Sequence, residues 1–329
     1  MRDIIDIFVT LGRRLRNEIE TPKIKDLYAR AIADNPWFTE HDITCAIEAI
    51  CSDMLDEMSL NEWAQHYPKS TTPQRVAIIM AGNIPLVGFF DLLCVLCSGH
   101  EAHIKPSSKD SVLMRHVVDI LRDIEPQIAI YDYSADDKYD IAIATGGDDA
   151  NRYFREHFAT TRCLLRGSRH SVAVLDGTES AAEIEGLWHD ITAYSGLGCR
   201  SISMLFIPRN CEAPKMHGEP INRKLKGTLS TTRALYAMKG TPYIDCGAFI
   251  MTEGREFPTT LAAVTLYRYD DISEVKEWIA KRAEKIQCIV SHADIANSVP
   301  FGKAQHPTLH DYADGVDTMA MLNEEKFCY

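Results

Sequence analysis

Short apolar runs alternate with stretches of helical periodicity between about residues 75 and 170, and this alternation restricts the fold more than any other feature. Four of the runs are predicted strands: residues 76–80, 102–105, 127–131 and 140–144. Residues 111–121 form the clearest helix between them. Such alternation is typical of a parallel, doubly wound sheet covered by helices. We therefore predict an α/β fold with a Rossmann-type sheet.

The segments on either side of this region have patterns of their own. Residues 1–70 show helical periodicity with turns at Asp34-Asn35-Pro36 and Thr39-Glu40, which predicts a helical N-terminal subdomain. Beyond about residue 170 we predict a second α/β unit. Its predicted helices are 181–194, 228–238 and 272–286, and its predicted strands are 204–207, 248–251 and 261–269. No internal repeat or low-complexity linker separates these parts.

Cys199 is the candidate nucleophile of the chain. It follows Gly196 and Gly198 and precedes Arg200, between a predicted helix and the apolar run 202–207. Glycine adopts backbone conformations closed to other residues, and a neighbouring cation favours the thiolate, which is the form that attacks a carbonyl carbon. The alternative is an ordinary buried cysteine in a tight turn, which is the commoner role of a cysteine.

Asn83 is the second candidate, because it lies where a predicted strand meets a predicted helix. The apolar run from Val76 ends at Gly82-Asn83, and Pro85 suits the first turn of a helix, so we predict that a helix begins there. Strand-to-helix junctions of this kind hold ligands at the carboxyl edge of open α/β sheets. A helix cap is the alternative role for Asn83.

Together these segments resemble the aldehyde dehydrogenase superfamily. In that superfamily an asparagine before a proline ends the first Rossmann strand, as at Asn83, and a Lys-Pro-Ser/Ala turn ends the second, as at Lys105-Pro106-Ser107. With Ala144-Thr145-Gly146-Gly147-Asp148-Asp149 and Cys199 added, the chain resembles more specifically the acyl-CoA reductase family that includes the fatty-acid reductase of bacterial luminescence. The resemblance spans roughly residues 70 to 320.

The resemblance implies a domain organisation and an activity. Its four parts are a helical N-terminal subdomain at 1–70, an NAD(P)-binding Rossmann-like domain at 71–170, a catalytic cysteine domain at 171–297, and a C-terminal segment at 298–329 that returns to the active-site cleft. The implied enzyme is a homo-oligomer that reduces an acyl-CoA, typically a fatty acyl-CoA, to the aldehyde through an acyl-cysteine. An acyl carrier protein is the alternative donor. A semialdehyde dehydrogenase for a small activated substrate and a non-catalytic scaffold stay open as other functions.

By the same resemblance, Cys199 attacks the thioester, and the Asn83 side chain and the Cys199 amide stabilise the resulting oxyanion. Each well-placed donor of this kind lowers the barrier by roughly 3–4 kcal/mol. His306 and His310 are candidates for the proton donor to the departing thiolate, although a surface histidine is the commoner situation.

The resemblance also implies a nicotinamide dinucleotide. Lys105, at the end of the second strand, is placed to reach the adenosine ribose or its 2′-phosphate, and Ser107 adds a hydroxyl contact. No acidic residue follows that strand directly, which favours NADPH, with NADH as the alternative. No G-x-G-x-x-G motif is present, and the superfamily also lacks it in the usual position.

Two further segments are assigned to the dinucleotide. Thr145 with Gly146 and Gly147 allows close approach of the backbone to the cofactor at a helix N-terminus. Glu256, in Glu256-Phe257-Pro258, corresponds with altered spacing to the family's glutamate that holds the nicotinamide ribose.

Residues 164–171 depart from the hydrolytic aldehyde dehydrogenases, which carry a Glu-Leu-Gly-Gly motif there. A leucine or an arginine replaces the glutamate that activates water, and this favours reduction of the acyl-enzyme over its hydrolysis. Two roles for Arg166, Arg169 and His170 stay open: neutralising the phosphates of the cofactor or coenzyme A, or forming a solvated strand edge.

The composition limits the partners. A net charge of −12 argues against nucleic acid, and the basic run 222–226 is predicted to be a solvated face. The ten cysteines lack the spacing of a disulfide framework and no signal peptide is recognised, so we expect a cytoplasmic protein. The apolar stretch 76–97 is interrupted by polar residues and predicts no membrane span, and Cys94 and Cys97 are predicted to be core residues and not zinc ligands.

Overall fold

The computed structural model describes residues 2–323 and divides the chain into two compact units. The first unit is formed by Met1–Ser168 together with Thr308–Tyr329, and the second by Arg169–Pro307. Each unit is built on one largely parallel sheet. This confirms the predicted α/β fold class.

The first unit contains a five-stranded parallel sheet. Its strands are β1 (Arg75–Ile79), β2 (Glu101–Lys105), β3 (Ile130–Asp132), β4 (Ile141–Thr145) and β5 (Arg162–Arg166). Their order across the sheet is β3-β2-β1-β4-β5, so β1 pairs with both β2 and β4. Val76, Ala77 and Ile78 are fully buried, as expected for a parallel strand covered on both faces.

Helices cover this sheet and share its core. They are α1 (Ile4–Ile19), α2 (Ile24–Asp34), α3 (Glu40–Ala49), α4 (Glu57–Gln65), α5 (Phe89–Cys97), α6 (Ser111–Ile124) and α7 (Asp148–His157). The predicted N-terminal helices and both of their turns are confirmed, since α2 ends at Asp34 and Thr39 caps α3 in a capping box. Apolar residues of α1 to α4 belong to the same buried cluster as β1, so these helices pack in one unit with the sheet.

The second unit contains a seven-stranded sheet with helices on its faces. Its strands are β6 (His170–Val174), β7 (Ile202–Pro208), β8 (Ile244–Asp245), β9 (Ile250–Glu253), β10 (Ala263–Tyr269), β11 (Ile286–Val290) and β12 (Ser298–Val299). Its helices are α8 (Ala181–Thr192), α9 (Arg223–Lys239) and α10 (Ile272–Ala280). The order is β12-β11-β6-β7-β10-β9-β8, and only the pairing of β8 with β9 is antiparallel among the described residues.

The segment after residue 307 belongs to the first unit. Its helix α11 (Thr318–Asn323) has Met319, Met321 and Leu322 in the buried cluster of that unit. Tyr312 accepts a hydrogen bond from the Trp63 indole at 2.8 Å, and the two residues lie 249 positions apart in the chain. No helix among residues 2–323 is long and apolar enough to cross a bilayer.

Two predictions about local structure are wrong, and one of the two roles left open for Arg166 is excluded. The helix predicted from Pro85 begins at Phe89, because Leu86 has a left-handed φ of 57° that a helix cannot contain. The helix predicted over 272–286 ends at Ala280, and strand β11 starts at Ile286. Arg166 is not on a solvated strand edge, since it is only 5% exposed.

Other predictions hold. Cys94 and Cys97 are buried in the core of the first unit. The basic residues Arg223, Lys224 and Lys226 lie on an exposed face of α9.

The buried ion pair of Arg166 with Asp91 leads to a testable prediction about the stability of the first unit. Both side chains are 7% exposed, and Arg166 also donates to the Thr318 hydroxyl at 2.8 Å. Arg166→Met should lower the free energy of unfolding by about 3–5 kcal/mol, because it leaves the Asp91 charge buried without a partner. The double variant Arg166→Met/Asp91→Leu should recover most of that loss in urea unfolding.

The control is Arg13→Met, which removes a surface pair with Glu57 whose side chains are 65% and 63% exposed. We expect a change below about 1 kcal/mol there. If Arg166→Met lowers the free energy of unfolding as little as Arg13→Met does, the buried pair stabilises the protein no more than a surface pair.

Candidate functional site

Three of the predicted site residues lie at one edge of the first sheet. Asn83 follows β1, Lys105 ends β2 and Thr145 ends β4. Because β1 is parallel to both neighbours, the carboxyl ends of these strands share an edge. The chain leaves β1 toward β2 and β3 and returns on the other side at β4, so this edge includes the topological switch point where open α/β sheets bind ligands.

Asn83 is half-buried in the tight turn 82–86 between β1 and α5. The turn passes so close to its neighbour that a Cβ on Gly82 would lie 2.6 Å from the Ser107 side chain, which only glycine avoids. The Asn35 amide donates to the Gly82 carbonyl at 3.2 Å. The N-cap of α5 is Gly88, so the helix-cap role considered for Asn83 is wrong.

Asp110 supports the same turn, and sequence analysis missed it. Its carboxyl oxygen accepts the Leu86 N–H at 2.9 Å, and the residue is 2% exposed. Burial raises the pKa of Asp110 to about 8, which keeps the carboxyl protonated at neutral pH. An aspartate directly before a helix predicts an ordinary cap, so the sequence carries no sign of this contact.

Lys105 and Ser107 lie in the turn that follows β2. Lys105 is exposed, and its Nζ is 5.6 Å from the centre of the Tyr133 ring. The Ser107 hydroxyl accepts the Lys109 N–H at 3.3 Å, and its carbonyl accepts the Asp110 N–H at 3.0 Å. The lysine ammonium is thus held by an aromatic face at the sheet edge, where solvent and an anion can reach it.

Thr145, Gly146 and Gly147 connect β4 to α7, as predicted. Gly147 is the N-cap residue of α7 and makes no side-chain cap bond, and nothing lies within 4 Å of the position where its Cβ would be. The amides of a helix N-terminus with open space before them suit a phosphate group. The assignment of these residues and Lys105 to a dinucleotide stays a prediction.

Cys199 lies in the second unit, after α8 and a strained turn. Tyr194 and Ser195 have φ values of 52° and 58°, and Gly196 has 70°, so three successive residues are left-handed. Ser195 is 2% exposed, and its hydroxyl accepts a hydrogen bond from the Asn222 amide at 2.7 Å. Cys199 itself is half-buried, and its carbonyl accepts the Ser171 hydroxyl at 2.8 Å. The residue is therefore held by its backbone without being sealed in the core.

Arg200 and Asp190 fix the segment beside Cys199. The Arg200 guanidinium donates to the Ala304 carbonyl and lies 3.6 Å from the Cys288 sulfur. Asp190, on α8, is fully buried and accepts the N–H groups of Gly302 at 2.7 Å and Ala304 at 3.1 Å. Burial raises the pKa of Asp190 to about 6. Residues 302–304 thus connect the end of α8 with the residue after the cysteine.

Glu256 also lies in the second unit, in the turn after β9. It is exposed and accepts a hydrogen bond from the Arg282 guanidinium at 2.8 Å. The following Phe257 stacks on His170 with ring centres 4.1 Å apart. The role of Glu256 at a nicotinamide ribose stays a prediction, and so does the meeting of Cys199 and Asn83 at one carbonyl.

His292, His306 and His310 differ in their surroundings. His306 and His310 are both exposed, as expected of surface histidines. His292 lies 2.6 Å from Glu183 and 3.1 Å from Asp176, and these carboxylates raise the pKa of His292. The ion pairs of His292 with Asp176 and Glu183 join the chain after β11 to the chain after β6. Sequence analysis missed this cluster.

The comparisons with known proteins agree with this architecture. A model of the family described as acyl-CoA reductase (LuxC) matches residues 3–236. The chain is 24% identical over 241 residues to the long-chain acyl-protein thioester reductase 2 of Photobacterium leiognathi, covering 63% of this chain and 50% of that protein. The chain therefore spans about half the length of the curated relatives it matches.

Solved aldehyde dehydrogenases share the fold at low identity. A putative aldehyde dehydrogenase from Burkholderia cenocepacia has a TM-score of 0.66 and 13% identity, with 88% of this chain and 74% of that chain covered. A glyceraldehyde-3-phosphate dehydrogenase from Methanocaldococcus jannaschii, solved with NADP, has a TM-score of 0.63 and 12% identity, with 89% and 76% covered. The aldehyde dehydrogenase-like fold is thus confirmed.

The left-handed turn before Cys199 makes a distinctive prediction about stability. Ser195→Ala and Ser195→Gly both remove the hydrogen bond to Asn222, but only glycine adopts φ of 58° without strain. We expect the glycine variant to be more stable than the alanine variant by about 1 kcal/mol, which reverses the usual order. Urea unfolding of the two variants measures this difference. An alanine variant that equals or exceeds the glycine variant would contradict a left-handed Ser195.

Proposed function

The chain belongs to the LuxC acyl-CoA reductase family, and from that premise we propose that it reduces an acyl thioester to the aldehyde with hydride from a nicotinamide dinucleotide. The observation that carries the proposal is Cys199 itself, half-buried and held by its backbone after a strained turn. We take a fatty acyl-CoA as the substrate. An acyl group on a protein thiol undergoes the same chemistry, and the Photobacterium leiognathi relative is named for that substrate.

The reaction begins at the cysteine sulfur. The Cys199 thiolate attacks the thioester carbon and forms a tetrahedral oxyanion, which collapses with loss of the coenzyme A thiolate to leave acyl-Cys199. That thiolate takes a proton from solvent. The turn 194–196 supports this role because it fixes the chain just before the nucleophile. Just after the nucleophile, Arg200 donates to the Ala304 carbonyl, and Asp190 accepts the Ala304 N–H.

Asn83 is proposed to stabilise the oxyanion together with the Cys199 amide. Its turn is fixed by the close approach of Gly82 to Ser107 and by the bond from Asn35, so the donor is pre-organised and needs no rearrangement during the reaction. Pre-organised donors are worth more than mobile ones, because no reorganisation has to be made at the transition state.

A nicotinamide dinucleotide, when bound, would supply a hydride for the acyl carbon of acyl-Cys199. The second oxyanion then expels the Cys199 thiolate and releases the aldehyde, which regenerates the nucleophile. We propose that Lys105 and Ser107 bind the adenosine ribose and that residues 145–147 bind the pyrophosphate. NADPH is favoured over NADH, because the exposed Lys105 ammonium attracts a 2′-phosphate.

Hydrolysis of acyl-Cys199 is disfavoured in this proposal. The segment that carries the water-activating glutamate in hydrolytic relatives has Leu164 and Leu165 in β5, and Leu164 is 5% exposed. Arg166 is bonded to Asp91, so it does not act as a base or bind a phosphate. Without a carboxylate there to activate water, the acyl-enzyme persists until hydride arrives.

We expect radiolabelled acyl-CoA to label the protein covalently at Cys199. The label should disappear in Cys199→Ala, because the sulfur is the acyl acceptor, and should be retained in Cys211→Ala, another half-buried cysteine of the second unit. Gel autoradiography after quenching in acid measures the label. A Cys199→Ala protein that is labelled as fully as the unmodified protein would reject the mechanism.

Asn83→Ala should lower kcat by about 100- to 1,000-fold, which is the usual cost of losing one oxyanion donor. Its KM and melting temperature should change little, because the residue is half-buried in a turn held by other contacts. Steady-state oxidation of NADPH followed at 340 nm gives both constants. Turnover within threefold of the unmodified enzyme would remove Asn83 from this role.

A further inference from the structure

Asp110 precedes α6 but does not cap it. An aspartate at an N-cap ordinarily accepts an N–H of its own helix and stabilises that helix by about 1 kcal/mol. Here the side chain makes no such bond and reaches across to the turn 82–86, where it accepts the Leu86 N–H at 2.9 Å. The first turn of α6 therefore lacks its side-chain cap, and the carboxyl serves another part of the chain.

The burial of this carboxyl is costly. Asp110 is 2% exposed, and its Oδ1 has no hydrogen-bond partner among the described residues. An unsatisfied buried polar atom costs about 1–3 kcal/mol. The pKa of about 8 keeps the group neutral near pH 7, which limits the cost without removing it. The structure thus tolerates a costly residue at this position.

The contact fixes a strained residue three positions after Asn83. Leu86 is left-handed at φ 57°, a conformation that is expensive for a leucine and that persists only when its surroundings impose it. The bond from Leu86 N–H to Asp110 supplies that constraint at one end of the turn. At the other end, Gly82 packs against Ser107 and Asp110 and constrains the turn there. A Cβ on Gly82 would lie 3.2 Å from the Asp110 Cβ.

We infer that Asp110 is a positioning residue for Asn83, whose side-chain direction it sets by holding both ends of the turn 82–86. The inference rests on the proposed function, in which the Asn83 amide stabilises the oxyanion. Asp110 contacts the turn and not the substrate, so its effect on the reaction passes through Asn83.

Two substitutions separate positioning from structural support. Asp110→Asn keeps an acceptor of the same size for Leu86 and copies the neutral carboxyl, so kcat should stay within about threefold. Asp110→Ser restores an ordinary cap for α6 but is too short to reach Leu86, so the fold should stay stable while kcat falls at least tenfold and KM stays within about threefold. Asp42→Asn, a buried aspartate in the capping box of α3, is the control and should leave kcat unchanged.

A double-mutant cycle provides the decisive comparison. In the Asn83→Ala background, Asp110→Ser should change kcat by less than about twofold, because the group through which it acts is gone. A full tenfold loss in that background, or normal turnover of Asp110→Ser alone, would overturn the inference.

Hydrogen exchange keeps the inference separate from the proposed function. The Leu86 amide should exchange faster in Asp110→Ser, and at the original rate in Asp110→Asn, whatever the substrate is. Unchanged exchange in the serine variant overturns the support of the turn by Asp110. An unmodified protein that forms no acyl-Cys199 rejects the proposed function, and faster exchange in the serine variant then still supports the hold of Asp110 on the turn.

Discussion

The parallel pairing of β1 with both β2 and β4 is the constraint on which the rest of the first unit depends. A strand with parallel neighbours on both sides needs a crossover on each side, so helices cover its faces and its residues are buried. The same pairing places the carboxyl ends of three strands at one edge. Asn83, Lys105 and Thr145 share that edge for this reason, although they lie far apart in the chain.

Three of the four aspartates that are buried among the described residues are compensated in three different ways. Asp91 is paired with the Arg166 guanidinium, Asp190 accepts two backbone N–H groups, and burial raises the pKa of Asp110 to about 8, which favours its neutral form. Each solution follows from the cost of a buried charge, which has to be paired, hydrogen-bonded or neutralised. Asp110 holds the turn that carries Asn83, and Asp190 holds residues 302–304, to which the Arg200 side chain donates.

Backbone strain is found at both turns that carry the proposed chemistry. Leu86 follows Asn83 closely, and Tyr194 and Ser195 precede Cys199, all with left-handed φ. Each such residue costs on the order of 1–3 kcal/mol and persists where neighbouring contacts over-determine it. Those contacts come from Asp110 in the first unit and from Asn222 in the second. The strain lies next to the donor and the nucleophile, as expected of pre-organised sites.

The sequence by itself determined the α/β class, the positions of β1, β2 and β4, the turns that hold Asn83 and Cys199, and the family resemblance. Those features depend on local periodicity, on β-branched runs and on short motifs. Only the tertiary structure decided that α5 begins at Phe89, that Arg166 is buried, and that the Asp110 side chain serves the turn and not its own helix. Leu86 meets Asp110 from 24 positions away, and Arg166 meets Thr318 from 152. Contacts between residues so far apart leave no periodic mark on either segment, so they emerge only when the chain is folded.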